Sequence, residues 1–255
     1  MEKKPYVGVT GFIHRKDEEL ESEHVVRWWE HLPKKGRVLS LGILVASQTL
    51  ARRQNWPRRY PHIEDVEKIL IDHPDVINII HYFSAIPDSL YSQLGYMAGK
   101  FDDRIQGFQI NHPWPAILEL ERFREVYDGK YRLIMTLGRD ELGQLNFDPS
   151  KLCLKLYDYL DLIDDVLIDF SQSEGKVIRP EETMLFLHAL DKMQDKISLG
   201  VAGGFCPETI HLLKLIRDKF PNISSDAESQ LRTTEDYLHL DRTCSYLSLH
   251  QEIIK

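Results

Sequence analysis

The sequence predicts an α/β protein folded as one (β/α)8 barrel over residues 1–255. Three observations carry that prediction. Short apolar or β-branched runs recur about eight times at a spacing of ~30 residues, the length of a βα unit. Stretches of helical period separate them, and prolines stand at or near the starts of several of those stretches, where a missing N–H costs nothing.

The first strand is expected at Tyr6 to Phe12, followed by a helix from Glu23 to Leu32 that puts Val25, Trp28, Trp29 and Leu32 on one stripe. Arg37 to Val45 supplies the second strand and Val66 to Ile71 its helix. Val76 to Tyr82 precedes Leu90 to Met97, which follows Pro87; Ile105 to Ile110 precedes Ile117 to Val126, which follows Pro115. Tyr131 to Thr136 leads through Pro149 to Leu152–Leu162, and Asp165 to Phe170 leads through Pro180 to Met184–Leu190. Ile197 to Ala202 and Pro207 introduce Ile210–Ile216, and Asn222 to Ser225 is the eighth strand. The apolar helix Tyr246 to Ile254 either closes the outer ring or seats a second copy, leaving monomer and homodimer both open. Eight units in ~250 residues favour closure, with an open doubly wound sheet as the alternative.

Composition narrows the function classes. The chain is 42% hydrophobic and 28% charged, within the range of soluble globular proteins. No apolar run approaches the ~18 residues of a membrane span, and no signal-peptide core follows Lys3-Lys4, so a cytoplasmic protein without membrane contact is expected. A net charge of −8 repels phosphate backbones, which argues against nucleic acid. Cys153, Cys206 and Cys244 form no close pair and are expected as reduced thiols. The eleven histidines show no H-x-H or H-x-x-x-H spacing, so neither a metal nor another cofactor is expected.

In a barrel the chemistry belongs to the loops after the strands' C-terminal ends. Here these are residues 10–20, 46–62, 82–88, 109–114, 136–147, 169–180, 202–208 and 224–235. The seventh reads Ala202-Gly203-Gly204-Phe205-Cys206-Pro207-Glu208-Thr209. Paired glycines before a helix let backbone N–H groups approach an oxyanion, although an ordinary tight turn uses the same residues. The eighth strand runs into Ser224-Ser225-Asp226-Ala227-Glu228-Ser229, and strands seven and eight often build the phosphate site of such barrels.

Together, AGGF-x-P-E-T at 202–209 and N-I-S-S-D-A-E-S at 222–229 resemble the AGGL-x-P-E-N and D-V-S-S-G-V-E-S signatures of the phosphoribosylanthranilate isomerase family, whose members are TIM barrels. Gly8 to Phe12 is similar to the family's K-I-C-G-I strand, Gln109 to His112 to its Q-L-H-G, and Pro57 to Tyr60 to its S-P-R-Y. Leu167 to Asp169 followed by Ser173 to Lys176 resembles L-L-D followed by G-T-G-K. The resemblance implies an Amadori rearrangement of a phosphorylated sugar amine, as in tryptophan biosynthesis. Asp169 then falls on the general acid, Arg58 or Arg59 on the carboxylate clamp, and Gln109, Gly203, Gly204, Ser224, Ser225 and Glu228 on the substrate site. The expected partner is a small phosphorylated or carboxylated metabolite.

The sequence departs from the family where the base should stand. Thr10 replaces a cysteine in the first strand, and a hydroxyl needs a partner base to do comparable work. His14, His112, Glu174 and Asp226 are the other candidates on that face. Asp226 also replaces a glycine beside the expected phosphate, and Glu174 adds a second negative charge. Arg52, Arg53, Arg58 and Arg59 around Trp56 offer either an anion clamp or a solvated basic loop. A barrel repurposed for another small anionic ligand, without Amadori chemistry, is the alternative.

Overall fold

The computed structural model describes residues 3–16, 18–51, 57–84, 89–112, 114–171 and 175–253. Arg52, Arg53, Trp56, Pro87, Ser173, Glu174 and Ile254 of the sequence analysis lie outside the described residues. Eight parallel strands close into a barrel in sequence order. They are β1 (Tyr6–Thr10), β2 (Val38–Ala46), β3 (Val76–Phe83), β4 (Gly107–Ile110), β5 (Arg132–Gly138), β6 (Asp165–Asp169), β7 (Ser198–Ala202) and β8 (Ser224–Ala227). Closure is the β1–β8 seam, with Val7, Gly8 and Val9 opposite Ser225, Asp226 and Ala227. The open-sheet alternative is thereby excluded.

Alternation along each strand sends every second side chain inward. Tyr6, Val38, Ile79, Ile134, Leu167 and Ala202 pack as one cluster in the barrel interior. Val7, Val9, Leu39, Leu41, Phe108, Leu133, Val166, Val201 and their like face outward and pack with the helices in a separate, larger cluster. At the N-terminal end of the barrel, Arg132 closes a buried two-pronged ion pair on Asp165, with Nε and Nη2 at 2.6 and 2.5 Å from the two carboxylate oxygens.

The outer layer contains α1 (Glu21–Glu30), α2 (Ser47–Leu50), α3 (Val66–Ile69), α4 (Leu90–Phe101), α5 (Ile117–Tyr127), α6 (Arg139–Gln144), α7 (Pro149–Leu156), α8 (Pro180–Leu190), α9 (Leu213–Arg217) and α10 (Leu240–Ile253). Pro149 and Pro180 occupy first-turn positions as the sequence implies, and Asp148 caps α7 by accepting from Ser150 and Lys151 N–H. Three stretches are shorter than their periodicity suggests. α3 stops at Ile69 because Asn78 grips the backbone of Ile71 on both sides, accepting from its N–H and donating to its carbonyl. α7 gives way to a 3₁₀ turn at Tyr157–Tyr159. Pro207 begins a turn rather than a helix, and α9 is five residues long after a 3₁₀ turn at Ile210–Leu212. The expected helix N-terminus directly behind Gly203-Gly204 is therefore absent. α10 closes the ring beside α1, burying Tyr246 and Leu247, and Trp28 Nε1 donates to Ser248 Oγ at 3.0 Å.

Candidate active site

The C-terminal mouth of the barrel holds a cavity of about 370 Å³. Its walls come from the ends of β3 to β8 and the loops that follow them, where barrel geometry directs chemistry. Gln109, Thr136, Asp169, Ala202 and Asp226 form the inner wall, and Asp140, Glu141, Gly203, Gly204 and Glu228 stand above it.

Asp226 is the centre of an interior polar cluster. Thr10 Oγ1 donates to its Oδ1 at 2.9 Å and lies 3.2 Å from Oδ2. On the far side of that hydroxyl, both ring nitrogens of His81 lie 3.4 Å away. The cluster fits because two neighbouring positions carry no Cβ. A Cβ on Gly8 would come within 2.2 Å of Asp226 Oδ1, and one on Gly42 within 2.1 Å of Thr10 Oγ1 and 2.7 Å of His81 Nε2.

Burial sets the charges of this cluster. Asp226 is 6% exposed, and its pKa is pushed up to about 8, first by burial and then by the nearby Glu228 and Asp169 charges, against the pull of the Thr10 hydrogen bond. It is therefore mostly protonated at neutral pH. Burial pushes His81 down to about 3, so its imidazole is neutral. Asp169 stands at the same level of the wall: it pairs with Ala202, which pairs in turn with Asp226. Asp169 Oδ1 accepts from Ser171 N–H at 2.8 Å and from Ser171 Oγ at 2.6 Å. Two carboxyl groups on one wall thus sit in different surroundings, one buried against a hydroxyl and the other accepting two hydrogen bonds, the pattern that separates an acid from a base.

The expected site residues divide into two sets. Asp169, Gln109, Gly203, Gly204 and Glu228 line the cavity together. Thr10 does not: it is fully buried, and its hydroxyl serves Asp226. Ser224 and Ser225 also stay out of it, because both are buried in the ladder with β7 and β1. Ser224 Oγ accepts from Tyr6 N–H, while Ser225 Oγ bonds His250 behind the sheet at 2.9 Å. Arg58 stands outside the cavity, donating to Tyr237 Oη at 3.2 Å. Arg59 is held between Glu228 at 2.6 Å and Asp236 at 2.7 Å, which occupies the guanidinium expected to clamp a substrate carboxylate. Arg232 is anchored likewise, on Asp236 and the carbonyl of Gly11.

Of the four candidate bases, Asp226 and His112 reach the cavity wall, whereas His14 lies 3.9 Å from Asp65 and away from it. Glu174 lies outside the described residues. His112 is oriented by the Ser84 carbonyl at 3.1 Å, and burial lowers its pKa. Gly203 and Gly204 have φ of 140° and 56°, in the region that favours glycine. A Cβ on Gly204 would lie 2.7 Å from Gly175 O and 2.8 Å from Lys176 O, so carbonyl oxygens crowd the turn that was expected to cradle an anion.

The lining contains Asp140, Glu141, Asp169, Asp226 and Glu228 and, among the described residues, no lysine or arginine. Two polar atoms on the wall are buried without a partner: Gln109 Oε1 and Thr136 Oγ1. Thr136, Asp140 and Glu141 were not singled out in the sequence, although the loop rule names their segment, 136–147. His81 lay beyond that rule because it sits inside a strand and reaches Thr10, not the cavity. Among the described residues no group of three or more His, Cys, Asp or Glu is arranged to hold a metal ion, and no helix is long and apolar enough to cross a membrane.

No family model and no curated protein matches the sequence. Solved structures do resemble the fold. Phosphoribosyl anthranilate isomerase from Thermus thermophilus aligns over 95% of this chain and 96% of its own, with a TM-score of 0.62 at 15% identity. The isomerase from Thermotoga maritima aligns over 97% and 99%, with a TM-score of 0.60 at 13% identity. Orotidine 5′-monophosphate decarboxylase from Methanocaldococcus jannaschii, complexed with the inhibitor BMP, aligns over 99% of both chains, with a TM-score of 0.56 at 11% identity. At these identities the likeness concerns the barrel alone.

Proposed function

We propose that this barrel is an acid–base enzyme acting on a small sugar-like metabolite, and that its reaction is an Amadori-type isomerisation of an aldose amine to a ketose amine. One observation carries the reading: Asp226, mostly protonated at neutral pH, and Asp169, which accepts two hydrogen bonds from Ser171, flank Ala202 on the inner wall of one cavity. The fold shared with phosphoribosyl anthranilate isomerases is consistent with it.

The rearrangement needs a proton delivered to the ring oxygen as the ring opens to the iminium, and a base that removes the C2 proton to give the enaminol, which tautomerises to the ketone. The family resemblance assigns the acid to Asp169. The surroundings of the two groups support the reverse division, with Asp226, which holds its proton, delivering it and Asp169 accepting one. Thr10 is then a positioning residue that fixes the Asp226 carboxyl.

The wall also bears on the substrate. A phosphate would meet five carboxyl-bearing side chains and no lysine or arginine among the described lining residues. Gln109 Oε1, unpartnered on a residue 4% exposed, asks for a donor. These features support an amine- or hydroxyl-rich ligand over a phosphorylated one, and the glycosylamine nitrogen of an Amadori substrate is such a donor.

The test is loss of the C2 hydrogen and deuterium incorporation at C1 of the ketose product when the purified protein meets phosphoribosylanthranilate or its dephosphorylated ribosylamine in D2O. Exchange, faster with the dephosphorylated compound and reduced about 100-fold or more in Asp169→Asn and Asp226→Asn, is expected. Binding of the ribosylamine without any exchange would leave a ligand-binding barrel in place of an isomerase. Exchange undiminished in both variants would remove the carboxyl pair from the mechanism.

A further inference from the structure

The opposite end of the barrel carries a second cavity, of about 570 Å³, with the reverse charge. Lys3, Lys4, Lys35, Arg37 and Arg217 line it with Asn222, and no described lining residue is acidic. In a chain of net charge −8 such a concentration of cations calls for a reason.

Some of these cations are spoken for. Lys3 is paired with Asp164, and Lys35 Nζ donates to the Gln251 carbonyl at 3.2 Å. The two guanidinium groups are a different matter. Arg37 is 3% exposed and donates from Nη1 to Ile223 O at 2.5 Å and from Nη2 to Pro221 O at 2.6 Å. Arg217 is 8% exposed, donates from Nη1 to Ile253 O at 2.9 Å, and leaves Nε buried without a partner. Neither is paired with a carboxylate among the described residues. Carbonyl acceptors satisfy N–H groups, the end of α10 adds the partial negative charge of a helix C-terminus and the Asp218 carboxylate acts on Arg217 from outside ion-pair distance, but none of these closes an ion pair with the two buried cations. Their fields act on each other: after burial, Arg217 is the next influence lowering Arg37, to about 10, and both arginines help to hold His250 neutral. Conversion of two buried guanidinium groups into a stable arrangement is what a bound dianion accomplishes, through the two-pronged geometry that suits phosphate.

We propose that this N-terminal cavity is a binding site for a diphosphate-bearing small molecule, held by Arg217 and Arg37 with Lys4 at the rim. The volume falls in the range of small-ligand sites, roughly 300–1,000 Å³. Its position, at the face away from Asp226 and Asp169, makes it separate from the candidate active site and independent of the function proposed for that site.

Calorimetric titration of the full chain with inorganic pyrophosphate and with adenosine 5′-diphosphate, at low and at physiological salt, tests the site. Saturable one-to-one binding that weakens with salt is expected, at least tenfold weaker in Arg217→Gln. Lys4→Glu, on an exposed residue whose change leaves the core untouched, should weaken it several-fold, and Asp226→Asn should leave it unchanged. Equal affinities for the two compounds would mean that the diphosphate alone is read; a preference for adenosine 5′-diphosphate would mean that the cavity also takes the nucleoside. Absence of binding by either compound overturns the proposal. So does an affinity that Lys4→Glu and Arg217→Gln leave unaltered, or one that Asp226→Asn abolishes.

Discussion

Thr10 Oγ1 donates a 2.9 Å hydrogen bond to Asp226 Oδ1 across the seam that closes the barrel, joining residues 216 positions apart in the chain. The bond sets the position that the sequence resemblance aligns with a cysteine against one that it aligns with a glycine. Thr10→Cys should consequently leave turnover of phosphoribosylanthranilate no higher than the parent's, because the new thiol would face Asp226 and His81 instead of the cavity. A tenfold gain in the fluorescence assay of that substrate would show that residue 10 reaches the reacting atoms.

Stability should fall as pH rises through neutrality. Asp226 has a folded pKa near 8, above the ordinary value of 3.8, so the folded state holds a proton that the unfolded state has already released. The stabilisation from this group is complete below about pH 4 and is lost as pH approaches and passes 8. Asp226→Asn removes that dependence. Urea titrations at pH 5 and pH 8.5 should show the variant gaining about 1 kcal/mol or more relative to the parent at the higher pH. Parallel pH profiles for the two proteins would contradict the assignment.

Gly8 and Gly42 should tolerate no side chain. Alanine at either position places a methyl group within 2.2 Å of a polar atom of the Thr10–Asp226 pair, inside a closed barrel that cannot widen locally. Gly8→Ala and Gly42→Ala should each cost about 1–3 kcal/mol, seen as a lowered thermal midpoint. Gly36→Ala makes no contact within 4 Å, so its cost comes from its positive φ of 77° alone and serves as the comparison.

Arg59 should behave as a structural anchor. It bridges Glu228 and Asp236, and its loss leaves the half-buried Glu228 carboxylate without its principal counter-charge. Arg59→Ala should lower stability by roughly 2–4 kcal/mol. Glu228→Gln in the same chain should recover part of that loss. An Arg59→Ala variant with parental stability and a raised KM would restore the substrate clamp that the sequence suggested.

Arg132 and Asp165 close the opposite end of the interior with a two-pronged pair. Arg132→Met should cost about 3–5 kcal/mol in denaturant unfolding, since it strands a buried carboxylate. The double change Arg132→Met with Asp165→Leu should be nearer to neutral. A single variant as stable as the parent would mean that water already reaches Asp165.

The architecture was legible in the sequence because it rests on local regularities. Each βα unit carries its own apolar period and its own proline or turn, so Tyr6, Val38, Val76 and the later strand starts lie within two residues of where the runs suggest. The rule that strand ends carry chemistry likewise reached Asp169, Gln109, Gly203, Gly204 and Glu228, which share the cavity. The misplacements occurred where a side chain has two directions available. Ser224 and Ser225 are adjacent, yet strand alternation sends one inward, beneath the cavity, and the other outward to His250. Arg59 carries the charge of a clamp, but Asp236, distant in sequence, had already taken it.

By itself, then, the order of residues determined the barrel and the rim of loops on which to look, since period and spacing are properties of neighbouring residues. Tertiary structure decided which groups work together: Asp226 with Thr10 and His81 at one end, Arg37 with Arg217 at the other. Their charges depend on burial and on partners up to 216 positions away, and the energy of a carboxyl or guanidinium group is set by what surrounds it in space.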